Sequence, residues 1–221
     1  MAQFVVTIDG PAASGKSTVA RLLAERLGAV FLDTGAMYRA VTWAALQDGV
    51  DFSDAEQLAP VIGAHTFAFE PALGAMKALV DGTDVTSQIR EPKLTANVRH
   101  VASSGAMRAE LVDMQRCFAA QHGRVVTEGR DQGTVAFPDA AVKFYLVADA
   151  AERARRRGAE LDAAGAEVDL EALKKVIEAR DKSDESRAVG PLKPAADAIL
   201  IDTTSLAIDD VIERMLRSIE E

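Results

Sequence analysis

Short, nearly continuous apolar runs recur along the chain at residues 4–8, 30–32, 125–127, 142–147 and 198–201. Runs this short, without polar alternation, are the pattern of strands buried on both faces. Between them the period becomes helical. Val19, Leu22, Leu23 and Leu27 fall on one side of a helix. Ile208, Val211, Ile212, Met215, Leu216 and Ile219 form a stripe at i, i+3, i+4, i+7, i+8 and i+11. Strands alternating with helices predict an α/β fold: a central parallel five-stranded sheet flanked by helices. In such sheets ligands gather at the carboxyl ends of the strands.

Two regions depart from the alternation. Between about 64 and 86 the chain reads as β. Thr66-Phe67-Ala68-Phe69 suits one strand, and Ala78-Leu79-Val80 and Asp84-Val85-Thr86 flank an Asp81-Gly82-Thr83 turn. A small antiparallel insertion is expected there. Residues 151–169 are rich in Arg, Ala and Gly. Gly158 and Gly165 interrupt a helical pattern, which predicts two helices joined by a mobile turn.

The first apolar run leads into Gly10-Pro11-Ala12-Ala13-Ser14-Gly15-Lys16-Ser17-Thr18. This is G-x-x-x-x-G-K-[ST] in a strand–loop–helix setting, the phosphate-binding loop, or P-loop. Such a loop turns several backbone N–H groups inward on one anion, and the following helix adds its positive end. Lys16 is placed to reach β- and γ-phosphates, and the Ser17 hydroxyl to bind Mg²⁺. Eight-residue patterns do arise by chance; the preceding strand and following helix argue against that here.

Composition narrows the partners. With 221 residues and 48% hydrophobic content, a sizeable core is expected. No apolar run is long enough to span a membrane, and the N-terminus lacks the pattern of a secretory signal. Cys117 is the only cysteine, so no internal disulfide can form, and a cytoplasmic location is expected. Its apolar helical surroundings predict a buried, inert thiol. The net charge of −9 disfavours nucleic-acid binding. Arg153, Arg155, Arg156 and Arg157 nonetheless form a local basic cluster, suited to a small anion or to a solvated helix face. No long exposed apolar stripe is evident, so a monomer is expected.

P-loops serve GTPases, large ATPases and small kinases. The guanine-reading Asn-Lys-x-Asp is absent, since the only asparagine, Asn97, precedes Val98. Val125-Val126-Thr127-Glu128 is the nearest approach to the acidic strand end of a large ATPase. A small phosphotransferase remains, and it needs a second anion site facing the P-loop. Arginines suit it, because they stay charged and bind phosphate oxygens as a planar fork. Arg39, Arg108, Arg130, Arg180 and Arg187 lie at loops and strand ends.

At these residues the chain resembles a known family. Ile8-Asp9-Gly10-Pro11, Leu32-Asp33-Thr34-Gly35-Ala36-Met37-Tyr38-Arg39 and the segment from Glu128-Gly129-Arg130-Asp131-Gln132-Gly133-Thr134 to Asp139 are similar to bacterial cytidylate kinases. So are Arg180-Asp181, Asp184, and Ser186-Arg187-Ala188-Val189-Gly190-Pro191-Leu192. The resemblance runs from Phe4 to the C-terminal helix. It implies a P-loop NTPase fold with three parts: a core (1–62, 87–150 and 170–221), a β-rich acceptor-binding insertion (63–86) and a short helical lid (151–169). The implied reaction is transfer of the γ-phosphoryl of ATP to CMP or dCMP, with Mg²⁺. A kinase for another monophosphate such as UMP, or a nucleotide-dependent binding switch, stays open as an alternative.

The resemblance also implies roles. Arg39, Arg130 and Arg187 would surround the acceptor phosphate and the transferring group together with Lys16. Arg108 and Asp131 would read the cytosine edge. Thr34 stands where many relatives have serine and would contact the acceptor. Asp184 would hold sugar hydroxyls with Arg180 beside it; Arg180, Asp184 and Arg187 fall at i, i+4 and i+7. Arg99 stands where several relatives have serine, a role open to Ser103 or Ser104 or lost. Arg153 and Arg157 are lid candidates for ATP, with the choice between them open. Asp33 and Glu128 are candidates for outer-shell contacts to the ion.

Overall fold

The computed structural model describes residues 4–72, 74–163 and 165–220. Five strands, β1 (Phe4–Asp9), β2 (Val30–Asp33), β6 (Arg124–Gly129), β7 (Val142–Val147) and β8 (Ile199–Asp202), form the expected sheet in the order β2-β6-β1-β7-β8. Every pairing is parallel. Buried side chains cover both faces of the sheet. On one face α1 (Lys16–Arg26) and α10 (Ile208–Glu220) contribute Val19, Leu23, Val211, Ile212 and Met215. On the other, α2 (Thr34–Gln47) and α7 (Gly105–His122) contribute Met37, Val41, Leu111 and Phe118.

β8 departs from the expectation of strands buried on both faces. It is the sheet edge, and Leu200 is 62% exposed. Ile208, the first residue of the C-terminal stripe, is also exposed because it opens α10 before that helix settles on the sheet. Cys117 is exposed too, against expectation. The buried positions of α7 are Met107, Arg108, Leu111, Val112, Gln115, Phe118 and Ala119, and residue 117 lies off that stripe.

The β-rich segment is an antiparallel three-stranded sheet of β3 (Phe67–Ala72), β4 (Ala75–Val80) and β5 (Thr83–Asp84). Val80 pairs with Thr83, so Asp81-Gly82 is a two-residue turn, and φ is positive at both residues, as a type I′ hairpin requires. Short helices α3 (Ala55–Leu58) and α4 (Val61–Ala64) precede this sheet; α5 (Pro92–Thr95) and α6 (Val98–Ser103) follow it. Met76, Ala78, Val80 and Val85 bury against the α2 side of the core. The Arg-rich segment is α8 (Ala150–Ala163), followed by α9 (Leu170–Glu185). Gly158 does not break α8. It is buried inside the helix, where a β-carbon would collide with Leu170 of α9, so glycine there permits close helix packing. The turn comes later, at Gly165 (φ 82°).

One histidine joins the small sheet to the core. His65 bonds Asp81 at the hairpin turn through Nδ1 (2.6 Å) and Asp48 at the end of α2 through Nε2 (2.9 Å). The bonds to Asp81 and then Asp48 raise its pKa above the ordinary value. A raised folded pKa makes this contribution complete below the unfolded value of about 6.5 and progressively lost as pH rises through the folded value. It persists downward until the acid range, where Asp81, itself lowered by His65, protonates. We expect His65→Gln to lower Tm clearly at pH 6 and hardly at pH 9; an equal loss at both, by scanning calorimetry, would contradict the assignment.

Candidate active site

β1 and β6 lie side by side, with Asp9 opposite Gly129, so the loops that follow them meet at one edge. The loop after β1 is the P-loop. It curls through a left-handed Ala13 (φ 58°) and Gly15 (φ 88°), and Gly10 approaches the Leu146 carbonyl so closely that any β-carbon would overlap it. Lys16 opens α1 and is 5% exposed. Its Nζ folds back on the loop, donating to the Pro11 carbonyl at 2.6 Å and to Ser14 Oγ at 3.4 Å. Burial, then the positive charge of Arg130, pushes its pKa down. A lysine in this state gains from a polyanion. Ser17 and Thr18 are exposed at the helix start, and Ser17 Oγ donates to Glu128 Oε1 at 2.8 Å. Glu128, at the end of β6, is raised by burial and by the facing Asp33. Asp33 itself caps α2 through the Ala36 N–H and pairs with Arg90 at 3.3 Å.

The loop after β6 holds the second cluster. Arg130 Nε donates to Asp184 Oδ2 at 2.8 Å, and Arg187 donates to Asp184 Oδ1. Arg180 is exposed, yet desolvation and the charges of Arg130, Arg39 and Arg187 push it down to about 10. Arg39 donates to Thr95 Oγ1 at 2.8 Å and is lowered by burial, with Arg90 and Arg157 opposing its charge. Arg39, Arg130, Arg180 and Arg187 thus share one electrostatic field beside Lys16. Asp184 is the carboxylate that bonds directly to this group, through Arg130 and Arg187. Concentrated positive charge of this kind suits an anion. The helical spacing of Arg180, Asp184 and Arg187 is corrected in one respect: α9 ends at Glu185, so Arg187 reaches Asp184 from the loop beyond it.

A third group is buried beside these. Arg108 on α7 pairs with Asp131, donates from Nη1 to the Ala102 carbonyl at 3.1 Å, and lies over the Tyr38 ring at 5.6 Å. Arg108 is 3% and Asp131 5% exposed, and Arg108 Nε has no partner. Thr34 is also buried, and its hydroxyl donates to the Glu128 carbonyl at 2.7 Å. Arg99 lines an open cavity of about 500 Å³ together with Ser103, Ser104 and Ser183.

The lid arginines separate. Arg153, one of the two lid candidates for ATP, is 7% exposed and bonds the P-loop backbone: it donates to the carbonyls of Ala148 and Ala12 and pairs with Asp181. Asp181 in turn accepts from the Ala12 N–H at 3.0 Å. Arg157 stays about half exposed, bonded to Glu160 at 2.7 Å. Arg156, given no specific role from sequence, bonds Thr203 and comes near Gly15. Asp9 likewise has no specific role from sequence. It is 4% exposed, accepts from the N–H groups of Gln132 (2.9 Å) and Gly133 (2.8 Å), and burial raises it to about 6. Its signal was an acidic residue at the end of an apolar strand, directly before the P-loop.

A family model for cytidylate kinase matches residues 6–221. The chain belongs to the cytidylate kinase family. It is 46% identical over 220 residues to a cytidylate kinase of Leuconostoc mesenteroides, covering 100% of this chain and 98% of that one. It is 48% identical over 216 residues to a cytidylate kinase of Anoxybacillus flavithermus, covering 98% and 96%. Among solved structures, an uncharacterized protein from Eubacterium ventriosum aligns at TM-score 0.53 and 14% identity, covering 99% of this chain and 98% of that one. TT1252 from Thermus thermophilus aligns at 0.52 and 16%, covering 99% and 97%. At those identities the likeness is one of fold.

The separation of the arginines is measurable. Removing one partner of a buried ion pair costs about 3–5 kcal/mol. Arg153→Ala is therefore expected to lower Tm by roughly 10 °C, and the exposed Arg157→Ala to leave it nearly unchanged. Equal, small shifts in both would show that Arg153 is not the buried clamp.

Proposed function

We propose that this protein is an ATP-dependent cytidylate kinase, transferring the γ-phosphoryl group of ATP to CMP, and to dCMP, to give CDP or dCDP and ADP. The observation that carries the reading, beside family membership, is the arginine group of Arg39, Arg130, Arg180 and Arg187 set against Lys16. The acceptor is itself a phosphate, and two anions approach each other only if the protein neutralises both. An acceptor phosphate oxygen forms the new P–O bond as the bond to the ADP oxygen breaks. The acceptor is already anionic, so positioning and charge neutralisation suffice without a strong general base.

We assign the roles as follows, and the placement of the residues supports them. The P-loop backbone of residues 10–18 and Lys16 take the triphosphate, while Arg39, Arg130 and Arg187 take the acceptor phosphate. Arg108 and Asp131 read cytosine, whose exocyclic amine suits a carboxylate and whose ring acceptors suit a guanidinium. Asp184, with Arg180, holds the sugar; a carboxylate with both oxygens already engaged still has lone pairs for hydroxyls. Thr34 contributes by holding the β6 end in place. Arg157 is the lid arginine left for ATP; Arg153 acts behind the P-loop. Ser17 would hold Mg²⁺, with its hydrogen-bond partner Glu128 as an outer contact. Among the described residues no acidic or histidine cluster would hold a metal alone, so phosphate oxygens would complete the set. When bound, the ion neutralises triphosphate charge. In this reading residues 63–86 carry the acceptor side, residues 151–169 close as a lid, and the remainder is the core of a cytoplasmic monomer. Among the described residues no helix is long and apolar enough to cross a bilayer.

The direct test is ADP release with CMP, dCMP, UMP and AMP offered singly. CMP and dCMP are expected to stimulate it; release indifferent to the acceptor would sink the reading. Lys16→Ala should cost roughly a hundredfold or more in turnover with the fold intact. UMP presents an oxygen where cytosine has its amine, and two opposed buried acceptors cost on the order of 1–3 kcal/mol. Wild type should therefore favour CMP by about tenfold or more in kcat/KM. Asp131→Asn should narrow that ratio, chiefly by losing CMP activity. An unchanged ratio would remove Asp131 from base recognition.

A further inference from the structure

Residues 187–192 form a strap beyond the end of α9, tied down at both ends to one residue. The Arg187 guanidinium donates to the Asp184 carboxylate, and the Leu192 N–H donates to the Asp184 backbone carbonyl at 2.9 Å. The Leu192 side chain is buried. Between the ties, Gly190 lies directly on the Arg108–Asp131 pair. Its φ is 58°, and a β-carbon there would overlap both the guanidinium Nη2 and the carboxylate Oδ2. Any other residue would be strained in this backbone and would press on the pair. The strap therefore covers the two groups that read the base.

The covered pair is also incomplete. Arg108 Nε is buried without an acceptor, a costly state for a charged donor. Water does not reach it and no protein group fills it. A ligand edge offering an acceptor there, and a donor to Asp131, would improve the pair's bonding while needing the space that Gly190 holds.

We infer that the 187–192 strap is a specificity latch and that Gly190 is its specificity-determining residue. A base satisfying both Arg108 and Asp131 displaces the strap, and the displacement releases Arg187 from Asp184 to meet the acceptor phosphate. A base that satisfies neither does not offset the lost ties, so Arg187 stays parked. Selection and assembly of the phosphate site are thereby one event, the logic of induced fit. The inference rests on the proposed cytidylate kinase reading.

Two measurements test it. The first is kcat/KM for CMP and UMP in wild type and Gly190→Ala. An added methyl lifts the strap without a base, so the CMP-to-UMP ratio should fall at least about fivefold, with UMP turnover kept or raised. The second is hydrogen exchange across 187–192 in wild type, which stands even if the variant does not fold. CMP should change protection of the Leu192 amide severalfold, while ATP alone and UMP leave it nearly unchanged. An unaltered ratio in a folded variant, or a Leu192 amide indifferent to CMP, overturns the latch. A wild type that phosphorylates no monophosphate overturns the underlying reading instead.

Discussion

The parallel pairing of β1 with β6, closed at its end by the Asp9 carboxylate, is the constraint on which the site depends. The register sets Asp9 opposite Gly129, so the P-loop and the loop after β6 leave the sheet as neighbours. Asp9 then accepts the N–H groups of Gln132 and Gly133, fixing the turn that carries Arg130 and Asp131. The bonds are made at the expense of burying an acid, which raises its pKa to about 6. Two backbone donors on one carboxylate hold a loop more firmly than apolar contact would, because their directions are fixed.

A second carboxylate does the same on the opposite side. Asp181 of α9 takes the Ala12 N–H and the buried Arg153 of α8, whose other donors go to P-loop and strand-end carbonyls. One donor of the P-loop is thus used by the protein itself. Both helices flanking the Gly165 turn are moored to the loop, so α8, α9 and the P-loop backbone are mechanically joined. At the far end of this segment, Gly165 has open space around it: nothing lies near enough to meet an added β-carbon.

Much of this was legible in sequence where one local pattern decides the outcome. Five short apolar runs became the five strands, shifted by a residue or two, and Asp81-Gly82 became the hairpin turn. The P-loop's strand and helix are where its motif requires them. What was not legible depends on partners distant along the chain. Asp9 and Asp181 find their N–H groups 123 and 169 residues away, and no spacing rule joins them. Arg153 and Arg157 look equivalent at i, i+4, but only Arg153 meets Asp181. Gly158 reads as a break because glycine is a poor helix former, while the Leu170 side chain that needs its empty position lies on the next helix. The edge position of β8 follows from strand order, which apolar content does not encode.

The exposed Cys117 has a practical consequence. It is the only thiol of the chain, and it sits in mid-helix on α7, a rigid element packed on the sheet. Attachment chemistry aimed at sulfur would therefore label every molecule once, at one place, with no mutation. A dye or spin label there reports from the core, against which the position of the small sheet or of the Gly165 turn becomes a distance to be read.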